Sequence, residues 1–182
     1  PERALQVSGE GYTPRGEFLV NDGPVPTEAQ DLQAVLRVGV LASTADLVQE
    51  RPGEDGGWTV RGDPTEGALL VSAAKAGYRE ADAETEFAFV EEMPFDSERK
   101  RMSIVYARRS TPKSVVFVEG NAPDQRLAFV KGAAESVVRL CTRVQRQGQV
   151  LPLSDGERRE FLDVNNYLGG EALRVLAMAY RP

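Results

Sequence analysis

The sequence predicts an α/β domain of the α+β kind, in which a central, mainly antiparallel β-sheet is flanked by helices. Segments rich in Val, Ile, Phe and Tyr follow one another between residues 87 and 131, and the short polar turns that link them are typical of antiparallel strands. Helical periodicity occurs on both sides of this stretch. The chain has 182 residues, so we expect a single domain over residues 1–182.

The part of the chain before the sheet begins with extended structure. Glycine and proline punctuate residues 4–20, which predicts extended chain broken by turns. Residues 27–48 carry apolar side chains at helical spacing, and Thr27 is suited to be the N-cap, so a long helix is expected there. A short strand is predicted at Trp58–Val60.

A second helix is predicted from Pro64 to about Lys75. Asp63 precedes it as the N-cap, and proline occupies the favoured first position. Glu66 stands three residues after Asp63, where it can complete a capping box by turning back to the N-cap backbone. Gly77 is expected to end the helix.

The central strands and the elements after them complete the predicted order. Strands are predicted at 87–93, 101–107, 114–119 and 127–131, followed by a helix at 133–140, a strand at 143–151, a helix at about 155–167 capped by Ser154, and a strand at 173–180.

The composition excludes several classes of site. There is no histidine, which removes Ser-His-Asp and Cys-His catalysis and histidine-containing zinc sites. The single cysteine, Cys141, is expected to be a small buried apolar residue. The net charge of -6 disfavours general nucleic-acid binding. No apolar run reaches the roughly 20 residues of a membrane span, so no direct membrane contact is expected.

Two familiar phosphate-binding patterns are missing from the chain. It contains neither GxxxxGK[ST] nor a complete GxGxxG, since Pro14 stands where the third glycine of the motif starting at Gly9 is required. A nucleotide, if bound, must therefore be held by another architecture. The chain also begins without Met, from which we expect a fragment or a processed product.

Four segments together are specific: GDPTEGAL (62–69), PFDSERKRMS (94–103), FVKGA (129–133) and LRVLA (173–177). In this order and spacing they resemble the nucleotide-binding (N) domain of P-type cation-transporting ATPases, over essentially the whole chain. The form of the first two segments is similar to the calcium-pump-like branch and to bacterial members. Heavy-metal pumps of the family use a His-Pro motif here, so the absence of histidine disfavours that branch.

The basic segment near Phe95 suggests an adenine site, although each residue has a simpler explanation. Phe95 is either a core residue or an exposed ring that stacks on a base, and the resemblance implies stacking. Met102 is either core filler or the soft wall of the pocket. Lys100 belongs to an ordinary solvated turn or, if a strand places it on the same face as Met102, reaches the ligand. The resemblance also extends the site to Ser97, where animal calcium pumps carry arginine.

The remaining candidates lie in the other three segments. For Lys131 and Gly132 the alternatives are an ordinary strand-to-helix turn and a close approach of the ligand to the backbone; the resemblance implies that Lys131 lines the adenine end, and it includes Ala133. Glu66 either caps its helix or, as the resemblance implies, accepts a hydrogen bond from the adenine amino group. Arg174, within an apolar predicted strand, is costly to bury without a partner; this partner is an acidic side chain or, as the resemblance implies, the phosphate chain. The list of expected nucleotide-binding residues is completed by Leu176, packed on ribose or adenine.

The resemblance implies a division of labour between domains. The DKTGT phosphorylation motif, the GDGxND motif and the TGES loop of P-type pumps are absent from this chain. We therefore expect no catalytic residue and no metal site here, and a domain that holds ATP by its adenine end while presenting the γ-phosphate to a separate phosphorylation domain. The isolated domain is expected to bind ATP without hydrolysing it, with Mg-ATP as the substrate of the full pump.

The expected partners are the phosphorylation and actuator domains of the same pump. The chain itself is expected to be a cytoplasmic domain of an integral plasma-membrane protein, and to be monomeric when isolated. Two alternatives remain open. One is an interaction or regulatory module of this fold that no longer binds nucleotide. The other is a kinase-like or hydrolase domain acting alone, which would require a phosphate loop or an acid–base set.

Overall fold

The computed structural model describes residues 4–50, 57–109, 116–117, 119 and 122–182, and within them five helices and eleven strands occur. The helices are α1 (Gln30–Leu41), α2 (Pro64–Lys75), α3 (Glu80–Glu86), α4 (Ala134–Leu140) and α5 (Asp155–Gly170). The strands are β1 (Gln6–Val7), β2 (Phe18–Val20), β3 (Gly23–Pro24), β4 (Asp46–Gln49), β5 (Trp58–Arg61), β6 (Phe87–Asp96), β7 (Arg101–Arg108), β8 (Arg126–Gly132), β9 (Arg143–Arg146), β10 (Gln149–Pro152) and β11 (Ala177–Arg181).

A four-stranded antiparallel sheet in the order β11-β8-β7-β6 forms the centre of the fold. The predicted fold class is confirmed. The register aligns Met102 of β7 with Lys131 of β8, and Lys131 with Met178 of β11. Since paired residues of neighbouring strands project to the same face of a sheet, these three side chains form one row across it. Three smaller sheets, β1-β2-β3, β4-β5 and β9-β10, surround the centre.

Aromatic packing joins the helices to one face of the central sheet. Phe87, Phe117 and Phe129 are each at most 2% exposed, and their rings meet one another at centroid distances of 5.1–6.5 Å. Helix α1 covers this cluster with buried Val38 and Leu41. This layer of α1 on the sheet places the segment after α1 close to the end of β8 and to the first turn of α2. No helix in the described residues has the length and apolar character needed to cross a bilayer.

The first helix is shorter than predicted. It runs from Gln30 to Leu41 with Ala29 at the N-cap position, so the expected start near Thr27 and the end near residue 48 are wrong. The last part of the predicted helix, Asp46–Gln49, pairs with Trp58–Arg61 as a hairpin. Pairing with a neighbouring strand has overridden the helical periodicity of the sequence.

The second helix has the predicted ends but not the predicted capping box. The Asp63 carboxylate accepts hydrogen bonds from the backbone N–H groups of Thr65 and Glu66, at 2.7 and 3.3 Å. The Glu66 side chain does not return to the N-cap, because other groups bind it. Gly77, at φ +78°, takes the left-handed conformation that ends the helix.

The other differences from the prediction concern one missed helix and the bounds of elements near the end of the chain. Helix α3, missed from the sequence, precedes β6, and the predicted strand 143–151 is the hairpin of β9 and β10. Helix α5 has the predicted Ser154 cap but continues to Gly170, so the final strand begins at Ala177 rather than 173. The predicted strand 114–119 lies largely outside the described residues.

Candidate functional site

The predicted site residues gather at one end of the central sheet. Because neighbouring strands are antiparallel, the same end of the sheet contains the end of β6, the start of β7, the end of β8 and the start of β11. The first turn of α2 lies beside them, since Arg174 contacts Thr65 there. Four segments that are distant in sequence therefore form a single surface.

Phe95 lies at an irregularity of β6. Met93 pairs with Ser103 and Asp96 pairs with Arg101, so two residues of β6, Pro94 and Phe95, stand against one residue of β7. Such a bulge re-aims a side chain, and bulges concentrate near functional sites. The Phe95 ring is 64% exposed. The interpretation of Phe95 as a core residue is therefore wrong.

Met102 lies opposite this bulge and is 4% exposed. It belongs to the row with buried Lys131 and partly buried Met178. The bulge thus places an exposed aromatic residue of β6 opposite a buried thioether of β7.

The turn between β6 and β7 is built on Asp96. Its carboxylate accepts the backbone N–H groups of Glu98 and Arg99 at 3.0 and 2.7 Å, and its carbonyl accepts that of Lys100 at 2.7 Å. Ser97 is exposed in this turn.

Lys100 belongs to this turn, with φ +51°, and the strand begins only at Arg101. The expectation that strand alternation places Lys100 on the face of Met102 is therefore wrong. Its exposed ammonium is 4.0 Å from the Glu135 carboxylate. Lys100 is thus an exposed cation in the turn between β6 and β7.

Gly132 is required by a close approach of the protein to itself. A Cβ at this position would stand 2.4 Å from the carbonyl oxygen of Lys100 and 2.6 Å from the Cβ of Arg101. The next residue, Ala133, donates its N–H to the same carbonyl oxygen at 2.9 Å. The glycine therefore lets the β6–β7 turn pack against the end of β8. Neither explanation considered from the sequence included this contact.

Lys131 and Glu66 form a buried ion pair at the centre of the site. The Lys131 Nζ donates to Glu66 Oε1 at 2.6 Å and to Ser43 Oγ at 2.8 Å, and the two charged side chains are 8% and 10% exposed. Glu66 Oε2 accepts the backbone N–H groups of Thr44 and Ala45 at 2.8 and 2.9 Å. Glu66 is thus engaged with the segment after α1, and its predicted capping role is wrong.

The helices around this pair favour both charges. Glu66 is in the first turn of α2, where the helix dipole is positive, while Ser43 follows the end of α1, where it is negative. Burial acts to raise the pKa of Glu66, but hydrogen bonds from Lys131 and the Thr44 N–H outweigh it and hold the pKa below its ordinary value. Burial lowers the pKa of Lys131, and the bond to Glu66 offsets part of that effect.

Arg174 and Leu176 precede β11 rather than lying within it. Arg174 is exposed, so the expected burial inside a strand is wrong, and its Nη1 donates to Thr65 Oγ1 at 2.6 Å. Beside it lies an open groove of about 600 Å³ between α1, α2 and the start of β11. Its lining residues are Val35, Pro64, Thr65, Ala68, Leu69, Arg174, Leu176 and Met178.

Four residues that contact the predicted site residues were not predicted: Ser43, Thr44, Ala45 and Thr65. Thr65 belongs to the GDPTEGAL segment, so that segment already contained the signal for it. Ser43 and Thr44 were assigned to the interior of a long helix, and nothing local in the sequence marks their contact with residues 66 and 131. In the described residues, no group of three or more His, Cys, Asp or Glu side chains is arranged to hold a metal ion.

Comparison with known proteins identifies the family. The model of the P-type ATPase cytoplasmic domain N matches residues 31–182. The chain is 33% identical over 181 residues to a calcium-transporting ATPase of Bacillus subtilis, covering 99% of this chain and 18% of the relative. It is 34% identical over 183 residues to a probable cation-transporting ATPase F of Mycobacterium tuberculosis, with 97% and 18% covered.

An animal relative shows the same relation. The chain is 30% identical over 179 residues to the calcium-transporting ATPase type 2C member 1 of Bos taurus, covering 97% of this chain and 17% of the relative. The chain therefore spans less than a fifth of the length of the curated relatives that it matches. The resemblance inferred from the four segments is confirmed, and the chain belongs to the family of P-type ATPase cytoplasmic N domains.

Proposed function

We propose that this domain binds ATP through its adenine end and presents the γ-phosphate to the phosphorylation domain of a P-type cation pump. The observation that carries the proposal is the exposed ring of Phe95, 64% accessible at a bulge and beside the buried row of Met102 and Lys131. A large exposed aromatic ring next to a buried cation is suited to stacking and hydrogen bonding of a base.

The phosphate chain is proposed to extend toward Arg174. This arginine is exposed at the groove and held by Thr65 in the first turn of α2, where the helix dipole is positive. Lys100 is the second exposed cation at the same edge of the sheet. Both cations stand out on a chain with a net charge of -6, and they attract an anionic tail without a phosphate loop.

Binding is proposed to be weak. One stacked base contributes roughly 1–3 kcal/mol and each net hydrogen bond about 1 kcal/mol, against the loss of translational and rotational freedom. A Kd on the order of 0.1–10 mM corresponds to roughly 3–5 kcal/mol. Weak binding suits a domain that must release ADP in every cycle.

The rest of the pump is proposed to supply the chemistry. The DKTGT phosphorylation motif is not in this chain, so the isolated domain binds ATP but does not hydrolyse it. The actuator and phosphorylation domains are the proposed partners, and the domain is proposed to act on the cytoplasmic side of the membrane. Because the matched relatives include calcium-transporting ATPases, calcium is the proposed cargo of the pump.

The proposal is tested by titrating the isolated domain with ATP while recording amide NMR spectra, with and without magnesium. We expect shifts at Glu66, Phe95, Lys131 and Gly132 that saturate near millimolar ATP and do not require magnesium. The substitution Phe95→Ala should weaken binding about tenfold or more, because the base loses its stacking surface.

Phe89→Ala is the matched control. Phe89 is 63% exposed on the same strand, but it lies about 20 Å from Phe95 along that strand and its ring contacts Tyr106. Its removal should leave ATP affinity unchanged. If no amide chemical shift changes at several millimolar ATP, or if the two variants bind ATP with equal affinity, the adenine-binding proposal fails. The alternative of an interaction module is then favoured.

A further inference from the structure

Lys131 is held by the protein from two directions. Of its three N–H bonds, one is donated to Glu66 Oε1 at 2.6 Å and one to Ser43 Oγ at 2.8 Å. The tetrahedral ammonium therefore has one N–H left for a ligand. The bond to Glu66 Oε1 fixes the rotation of the ammonium about the Cε–Nζ bond, and the bond to Ser43 Oγ limits how far Nζ can move toward Glu66. The direction of the remaining N–H therefore depends on both acceptors.

We propose that Ser43 is a positioning residue for nucleotide binding, which fixes the Lys131 ammonium so that its remaining N–H is available to the adenine end of the ligand. This inference rests on the function proposed above. It adds a residue outside the four segments through which the sequence resembles the family.

The hydroxyl of Ser43 is oriented for this role. A serine hydroxyl has a single hydrogen, and here it is donated to the carbonyl oxygen of Gly39 at 2.7 Å, one turn back in α1. Only the lone pairs of Oγ are then free to face Lys131. Ser43 consequently acts as an acceptor, which favours the charged form of the lysine.

The two residues after Ser43 hold the other member of the ion pair. The backbone N–H groups of Thr44 and Ala45 are donated to Glu66 Oε2, and the Thr44 hydroxyl is 3.3 Å from the same oxygen. The segment 43–45 therefore supports both Lys131 and its counter-ion. A change at Ser43 can move the ammonium while the backbone contacts keep the Glu66 carboxylate in place.

The charged groups that act on Lys131 come from several elements. Glu66 and Asp63 belong to α2 and its N-cap, Glu92 belongs to β6, and all three raise the pKa of Lys131 against the larger effect of burial. Loss of the Ser43 acceptor removes a contact that favours the cation. The Lys131 amine should then lose its proton at a lower pH than in the unmodified domain.

The test compares Ser43→Ala with Ser43→Thr and with the control Ser72→Ala. Ser72 makes the same hydroxyl bond to the carbonyl four residues earlier, at 2.9 Å to Ala68, but on α2 and away from Lys131. We expect Ser43→Ala to weaken ATP binding about three- to tenfold, because the Lys131 side chain must then be ordered when the ligand binds. Ser43→Thr should restore affinity, and Ser72→Ala should not change it.

A second readout separates positioning from a structural effect. The proton exchange and chemical shift of the Lys131 Nζ, followed by lysine-selective NMR from neutral to alkaline pH without ATP, should show a lower titration midpoint in Ser43→Ala only. The alkaline loss of ATP affinity should move to lower pH by the same amount. If Ser43→Ala fails to fold, the isosteric pair Ser43→Thr and Ser43→Val makes the same comparison.

The outcomes separate the two proposals. If the unmodified domain binds ATP, and Ser43→Ala binds it with equal affinity and shows an unchanged Lys131 titration, the role of Ser43 alone is overturned. Unmodified domain that shows no ATP binding overturns the proposed function, and the inference with it.

Discussion

The contribution of the Lys131–Glu66 ion pair to the stability of the domain can be tested by removing one of its two charges. In Lys131→Met the side chain keeps nearly the same length, but the Glu66 carboxylate loses its counter-ion while it remains 10% exposed. Removal of one partner of a buried pair costs about 3–5 kcal/mol. Because Glu66 Oε2 retains the N–H groups of Thr44 and Ala45, we expect the lower end of this range, about 3 kcal/mol.

The loss is measured by urea unfolding at neutral pH, followed by the fluorescence of Trp58, the only tryptophan. The control is Lys100→Met, which removes an exposed lysine 4.0 Å from Glu135 and should cost less than about 0.5 kcal/mol. The double variant Lys131→Met with Glu66→Gln should recover part of the loss, because no unpaired charge is left buried.

The pH dependence of the stability difference between the unmodified domain and Lys131→Met gives a second test of the ion pair. In the unmodified domain the pKa of Glu66 lies below its ordinary value of 4.5, so its stabilisation is present above that pH and is lost as pH falls through the lower folded value. Without Lys131, burial dominates and the pKa of Glu66 should rise. The stability difference between the two proteins should then shrink as the pH is lowered. A difference under about 1 kcal/mol at neutral pH, or one that grows in acid, would refute the description of this pair.

Three further substitutions test other parts of the site. Gly132→Ala should destabilise the domain by about 1–3 kcal/mol in urea unfolding, because its Cβ would meet the Lys100 carbonyl at 2.4 Å; an unchanged midpoint would contradict that close approach. Asp63→Ala should lower stability by about 1 kcal/mol through loss of its N-cap bonds, seen in thermal unfolding by circular dichroism. Arg174→Ala should weaken ATP binding several-fold and leave adenosine binding unchanged, and equal losses for both ligands would exclude a contact with phosphate.

The fold was largely predictable because its signals are local. The β-branched and aromatic runs of β6 to β8, the Asp63-Pro64 start of α2 and the Ser154 cap of α5 each specify an element through neighbouring residues. The end of α1 was not predictable in this way. Residues 43–48 were included in the helix predicted from apolar periodicity, but pairing of β4 with β5 and the backbone bonds to Glu66 select another conformation.

The site was predictable as a set of segments but not as a set of contacts. Phe95, Lys131 and Arg174 come from three of the four segments, and the structure brings them to the same end of the central sheet. The sequence could not show that Glu66 faces Lys131, since these residues are 65 positions apart and either charge has several possible partners. The exposed position of Arg174 was also missed, because an apolar neighbourhood in sequence is not the same as burial.

The place of β11 in the sheet has a consequence for synthesis of the protein on the ribosome. This strand, Ala177–Arg181, follows all the other elements described here. It pairs with β8, and its Met178 lies opposite Lys131 in the register of the two strands. Translation supplies residues from the N-terminus onward. Phe95 and Lys131 therefore leave the ribosome before β11, the strand that completes their sheet. The proposed nucleotide affinity should then appear only after β11 has left the exit tunnel.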